Sequence, residues 1–371
     1  MKDNYNLLNK LKLISIYYYE GGNMKKVVKK LSMLLGFLLC LFFCACGGGK
    51  TEKVTSKEDF KPITLRYATQ HSIDHAAQAS AEAIKAEVEE KTNGRIKINI
   101  YPASQLGDWT QVYDEVMMGS IDIAHTSVPE TYDARIGAGF LPYLAKNYDE
   151  LAKVMAEDSY LVTEMKKLQK KFDIHFFGYY CEGFSGIGTS KPVLAPDKIK
   201  IDKGVVVRVP GNDAFKLPTE YLGYRTSTIP YADTFAAIQT GVVDGWQAGP
   251  PNLNYLNFRD VITHYYHYNL THEATQMYMS EKVWKKLLPE DQKILEEAIL
   301  KQSRKSIEIA KMEDEKYMDL LRKHGITVVT FDDTILDIMA EGVRKEVWGK
   351  LSEAYTKEFL DGLLASYKTE K

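Results

Sequence analysis

Between Pro289 and Gly325 the chain runs through Glu, Lys, Leu and Ile with no further Gly or Pro to interrupt a helix. At about 1.5 Å per residue, some 36 residues make a rod of roughly 54 Å. A lobe of about 150 residues has a radius of gyration of only about 15 Å. Such a helix is too long for one lobe, so it is expected to lie along two. With 371 residues, 45% hydrophobic and 26% charged, the chain has the material for two medium cores. Two lobes joined by several chain crossings enclose a cleft, and ligands settle preferentially at such interfaces.

The amino-terminal region reads differently. Lys25, Lys26, Lys29 and Lys30 precede an apolar run from Leu31 to Ala45, the charged and apolar regions of a secretory signal. The run is too short for a permanent span, which needs roughly 20 residues. It ends in Phe43-Cys44-Ala45-Cys46-Gly47, which resembles the lipobox of bacterial lipoproteins, so Cys46 is the expected lipidation site. Residues 1–23 fit no targeting pattern and are read as an upstream extension, with Met24 as the start. Residues 24–45 are the signal peptide and 46–61, rich in Gly, Lys, Thr and Glu, a flexible tether. Taking the +1 of residues 1–23 and the +4 of residues 24–45 out of the total of −2 leaves −7 from Cys46 onward. A net-acidic body argues against a nucleic-acid partner, which would call for a basic face. Cys181 is then left alone, without a disulfide partner.

Beyond the tether, strand and helix patterns alternate. Ile63, Leu65 and Tyr67 have period two; Ala77, Ala81, Ile84 and Val88 have helical spacing; Ile96, Ile98 and Ile100 alternate again. Asp108 can cap a helix ending at Gly119, with a strand over 121–124 after it. Further on, 205–209 and 226–229 read as strands, 232–240 as a helix and 242–246 as a strand. Met118-Gly119-Ser120-Ile121-Asp122 and Thr240-Gly241-Val242-Val243-Asp244 echo each other. This is the signature of an α/β fold.

Several stretches occur together in order: Thr92-Asn93-Gly94-Arg95-Ile96-Lys97-Ile98 with Tyr101-Pro102 and Gln105-Leu106-Gly107, then Gly119-Ser120-Ile121-Asp122, Leu141-Pro142-Tyr143, Lys203-Gly204, and Ala236-Ala237-Ile238-Gln239-Thr240-Gly241-Val242-Val243-Asp244-Gly245. Over 62–350 the chain resembles the DctP-type solute-binding proteins of tripartite ATP-independent periplasmic (TRAP) transporters. The resemblance implies a two-lobe periplasmic-binding-protein-like α/β fold with the long helix spanning both lobes. It implies no enzymatic activity and no cofactor or metal, but capture of a small organic acid for integral-membrane permease subunits. Residues 62–182 with 273–312 are expected to form lobe I, and 183–272 with 313–371 lobe II. The location expected is the cell envelope, extracytoplasmic and lipid-anchored to the membrane.

The family holds its ligand's carboxylate with an arginine in the strand that here reads Val205-Val206-Val207-Arg208-Val209, which points to Arg208. The chemistry agrees, because a guanidinium offers a planar fork of donors that matches a carboxylate. Sialic-acid binders of the family have a second arginine upstream, where this chain has Gly183-Phe184-Ser185-Gly186, and an Asn after the Asp-Gly pair, where it has Trp246 and Gln247. That argues against sialic acid and for a smaller or partly apolar acid, with Trp246 and Gln247 at the cleft wall. Further candidates stand at strand ends and helix starts: His71, Trp109, Thr126, Ser127, Glu182 and Tyr231.

Enzyme motifs fail on their residues. His272-Glu273-Ala274-Thr275-Gln276 lacks the second His of a zinc-protease helix. Gly183-Phe184-Ser185-Gly186-Ile187 lacks the last Gly of a nucleophile elbow. His71, Asp74 and His75 lack a further metal ligand. The rival from another class is an envelope hydrolase or isomerase that uses Glu182 and a histidine on a small anionic substrate.

Overall fold

The computed structural model describes residues 62–367; the extension, signal peptide, Cys46 and tether lie outside them. In chain order the elements that matter are β1 (Ile63–Thr69), α1 (Ala76–Lys91), β2 (Ile96–Tyr101), α2 (Trp109–Met118), β3 (Ile123–Thr126), α3 (Tyr148–Val154), α4 (Tyr160–Lys170), β4 (Ile174–Phe184), β5 (Ile187–Thr189), β6 (Val206–Val209), α5 (Asp213–Leu222), β7 (Arg225–Thr228), α6 (Thr234–Gln239), β8 (Gly245–Gln247), β9 (His264–His267), β10 (His272–Ser280), α7 (Pro289–Lys323), β11 (Thr327–Thr330), α8 (Asp333–Glu346), α9 (Trp348–Tyr355) and α10 (Lys357–Ser366). No helix among the described residues is long and apolar enough to cross a membrane.

The strands form two sheets. One has the order β2-β1-β3-β10-β4, the other β11-β9-β5-β8-β6-β7. In the first, β2, β1 and β3 are parallel and β10 runs antiparallel to both β3 and β4. The chain passes between sheets from β4 to β5 and returns from β9 to β10. The two crossings are stitched together: the Ser185 amide donates to the Thr271 carbonyl at 2.8 Å, and the two side-chain hydroxyls meet at 2.6 Å.

The 35-residue α7 makes the third crossing. Leu295, Ala298 and Ile299 enter the core of the first sheet with Leu65, Ile84 and Ile98. Leu321 enters the core of the second with Trp246, Phe258 and Tyr265. Ile299 and Leu321 are thus about 33 Å apart along the rod, as a helix shared by two cores requires. Between them α7 turns small and polar residues toward β4. Ser303 Oγ donates to the Tyr179 carbonyl at 2.5 Å, Ser306 Oγ accepts the Cys181 amide at 2.9 Å, and Asp314 accepts the Phe184 amide at 3.0 Å. Gly183, at φ +121, allows this approach, because a Cβ there would come within 2.6 Å of Asp314 Oδ1.

The local echo has a structural counterpart. Gly119 and Gly241 both end a helix in the left-handed region, at φ 84 and φ 75. The two aspartates that follow stand in the turn before the strand rather than inside it. Asp122 accepts the Arg66 amide at 2.7 Å, and Asp244 accepts the Val206 amide at 2.8 Å. This turn is also why β3 and β8 begin later than 121 and 242. The helix expected over 232–240 starts with a 3₁₀ turn, Tyr231–Asp233, before α6.

Candidate functional site

A cavity of about 830 Å³ opens between the strand ends of the two sheets. Trp109 and Ser127 approach it from the first sheet's elements, Arg208, Tyr231 and Trp246 from the second's, and Glu273 from β10.

Arg208 stands in β6 between Val207 and Val209, and only 5% of its surface is exposed. The parallel pairing of β6 with β7 and β8 fixes its backbone. Its Nε donates to the Ile229 carbonyl at 2.7 Å, and the guanidinium lies 5.8 Å from the centre of the Tyr231 ring. Among the described residues seven of the nine arginines form ion pairs. The exceptions are Arg208 and the more exposed Arg259. Burial lowers the Arg208 pKa from the usual arginine value, yet arginine keeps its proton in proteins. The cleft therefore holds a desolvated cation whose two terminal nitrogens have no hydrogen-bond acceptor among the described residues.

The aromatic wall is built around it. Trp246, 1% exposed, is anchored by Nε1 donating to Asn254 Oδ1 at 2.9 Å and packs on Phe258 at 4.2 Å. Tyr231 is 48% exposed and its hydroxyl accepts from Asn257 at 3.0 Å. Trp109, at the first position of α2, is 42% exposed. Ser127 is held by Gln70, which accepts its amide at 2.8 Å and donates to its hydroxyl at 3.2 Å. Thr126, one residue earlier, is buried and shares a 2.7 Å hydrogen bond with the Tyr278 hydroxyl.

Four expected site residues, Thr126, Gln247, His71 and Glu182, do not line the cavity. Gln247 is fully buried, its amide without a hydrogen-bond partner among the described residues, and it does not line the cavity. Side chains alternate along a strand, so Trp246 and Gln247 cannot face one wall together. His71 and Glu182 also lie outside the cavity lining and pair with each other, His71 Nε2 to Glu182 Oε1, at 2.7 Å. His75 Nε2 is 3.7 Å from Glu182 Oε2. Burial alone would raise the Glu182 carboxyl, but His71, then His75 and Thr275, more than offset this and hold it at about 2. His71 precedes α1 and His75 caps it, so neither is helical.

Two acids of the cleft escaped the sequence reading. Glu273 is half-buried, and burial followed by the charge of Glu182 pushes its carboxyl up to about 8. Glu130 is raised by burial, although Asn212 Nδ2 donates to it at 3.0 Å. Glu273 sat in plain view in the failed zinc-protease motif; period-two alternation along β10 was the signal that could have placed it. Cys181 is buried and burial pushes its thiol up, so it is unsuited to act as a nucleophile.

Residues 67–354 match the family described as bacterial extracellular solute-binding protein, family 7. The sialic acid-binding periplasmic protein SiaP of Vibrio cholerae is 26% identical over 275 residues, covering 73% of this chain and 83% of that protein. The C4-dicarboxylate-binding periplasmic protein DctP of Rhodobacter capsulatus is 23% identical, covering 72% and 80%. Two solved structures share the fold. A TRAP periplasmic solute-binding protein from Ochrobactrum anthropi, its C-terminus bound in the ligand-binding pocket, superposes with a TM-score of 0.74 at 20% identity over 84% of this chain and 96% of that one. Another, from Haemophilus influenzae with bound L-gulonate, gives 0.66 at 23% identity over 82% and 99%.

Proposed function

This chain belongs to the bacterial extracellular solute-binding proteins of family 7, the DctP family, and from that premise we propose that it captures a small organic acid around Arg208 and delivers it to an integral-membrane TRAP permease. The observation that carries the reading is a buried guanidinium with no ion-pair partner among the described residues, in a cavity that five aromatic side chains line. An unpaired buried charge is costly, and a carboxylate offers a bidentate match for its free nitrogens. Closure of the lobes would exclude water and strengthen that pairing. Binding energy would then shift an open-closed equilibrium rather than drive chemistry.

The structural relatives bind acids such as L-gulonate and β-D-galacturonate, and an acid of that size suits a cavity of about 830 Å³. Hydroxyls on such a ligand would find Glu273, Glu130 and Asn212. Sialic acid fits less well, because Trp246 stands where its binders carry an asparagine. Membrane attachment through acylated Cys46 completes the proposal, with Cys46→Ser releasing the protein from the membrane fraction.

The test is a thermal-shift screen of mono- and dicarboxylates, sugar acids and aromatic acids, followed by recovery of the stabilising compound. Saturable, stoichiometric stabilisation with the compound intact supports a binding protein. Turnover of the compound would favour the hydrolase or isomerase, and no stabilisation by any acid would remove the reading.

A further inference from the structure

The fold brings a third ligand to a pair of histidines that, by sequence alone, lack a further ligand for a metal site. His71 and His75 lie on the connection between β1 and α1, and Glu182 comes to them from near the end of β4. One ligand atom from each of the three lies within 4.8 Å of the others, and the two rings stack at 4.6 Å between centres. In a tetrahedral site with bonds of about 2.0–2.1 Å, ligand atoms stand about 3.3 Å apart. The Glu182 carboxylate reaches both rings, Oε1 at 2.7 Å from His71 Nε2 and Oε2 at 3.7 Å from His75 Nε2, distances on either side of that value. We propose that His71, His75 and Glu182 bind one first-row divalent ion of the zinc, nickel or copper class.

Two imidazoles and one carboxylate select that class over calcium or magnesium, which favour all-oxygen sets. The surroundings resemble the outer shell that orients metal ligands. In the ion-bound form Thr69 Oγ1, 2.8 Å from His71 Nδ1, can accept a hydrogen bond from Nδ1–H, so that Nε2 offers its lone pair to the ion instead of donating to Glu182. The Thr275 hydroxyl donates to Glu182 Oε1 at 2.7 Å. The cluster is not closed upon itself: His75 Nε2 makes no hydrogen bond among the described residues, and its side chain is 29% exposed. It lines a cavity of about 320 Å³ that Glu182 and Glu313 of α7 also border, which gives an ion access and leaves room for a water or Glu313 as a further ligand. Coordination through Nε2 puts the His75 proton on Nδ1, so the ion-bound form gives up the 3.2 Å bond from the Ala77 amide that caps α1.

The experiment is a zinc titration of the tag-free, chelator-stripped full chain against a chromophoric competitor, with cobalt(II) absorption as a second readout. One ion per chain is expected, with a tetrahedral-type cobalt spectrum and no competition from calcium. His75→Ala, whose side chain is at the cavity edge, should retain the far-UV spectrum and lose about tenfold or more in zinc affinity. Arg208→Ala should bind zinc like the parent, which separates this site from the acid-binding cleft. Absence of saturable uptake overturns the proposal. So does uptake unchanged in His75→Ala, as zinc held by Cys40, Cys44 and Cys46 would be.

Discussion

Arg95 and Arg208 are both buried arginines at the heart of a strand system, and their surroundings are opposite. Arg95, 9% exposed, leads into β2 and meets Asp291 in the first turn of α7 through Nε at 3.2 Å and through a terminal nitrogen at 2.5 Å, with Glu290 at 3.0 Å. Arg208, 5% exposed, meets a carbonyl and a ring. The first guanidinium is a finished joint between β2 and α7. The second has the donors of such a joint and lacks the acid. The fold pairs seven of its nine arginines and leaves this buried one open, which is the ground for proposing that its anion comes from outside.

Breaking each arginine should therefore show in a different measurement. Arg208→Ala is expected to cost about 2 to 5 kcal/mol of ligand affinity by calorimetry, while the melting temperature of the free protein holds or rises because a desolvated charge is gone. Arg95→Ala leaves the fully buried Asp291 without its partner. It should lose about 3 kcal/mol of stability in chemical denaturation, with affinity unchanged in the folded fraction. If the two variants exchanged these phenotypes, the contrast would be wrong.

A smaller effect sharpens the electrostatics of the cleft. Glu273 has a carboxyl raised by burial to about 8, so it is neutral below that pH and ionises as pH rises through it. Each ionisation adds a negative charge to a cavity meant for an anion. Affinity for an acid ligand should fall above about pH 8, within about tenfold, and Glu273→Gln should flatten the profile. The same raised pKa has a sign for stability: the unfolded carboxyl ionises first, so this group's contribution is greatest below about pH 4 and declines as pH climbs toward 8.

The contrast also marks what the sequence could and could not tell. Ile63, Leu65 and Tyr67 declare β1 because period two needs only neighbours, and the run after Pro289 declares α7 because nothing breaks it. Arg208 is proposed from the family resemblance, and its setting among valines agrees with that proposal. Trp246 lines the cavity and Gln247 does not, because the pleat of β8 turns neighbours to opposite faces, which adjacency in the chain does not reveal. The meeting of His71 and His75 with Glu182 depends on the sheet order β1-β3-β10-β4, in which β10 is inserted from far along the chain. No local pattern carries that order. For Glu273, period-two alternation along β10 gives the face, while its depth in the cleft is set by pairing with Gly183.

The account turns on whether the Arg208 guanidinium grips a carboxylate. A calorimetric cycle that compares an acid ligand with its neutral amide, in the parent protein and in Arg208→Ala, measures that pairing directly. We predict a preference for the acid of about 2 kcal/mol or more in the parent, nearly abolished in the variant. The same acid-over-amide preference in both proteins would contradict the account.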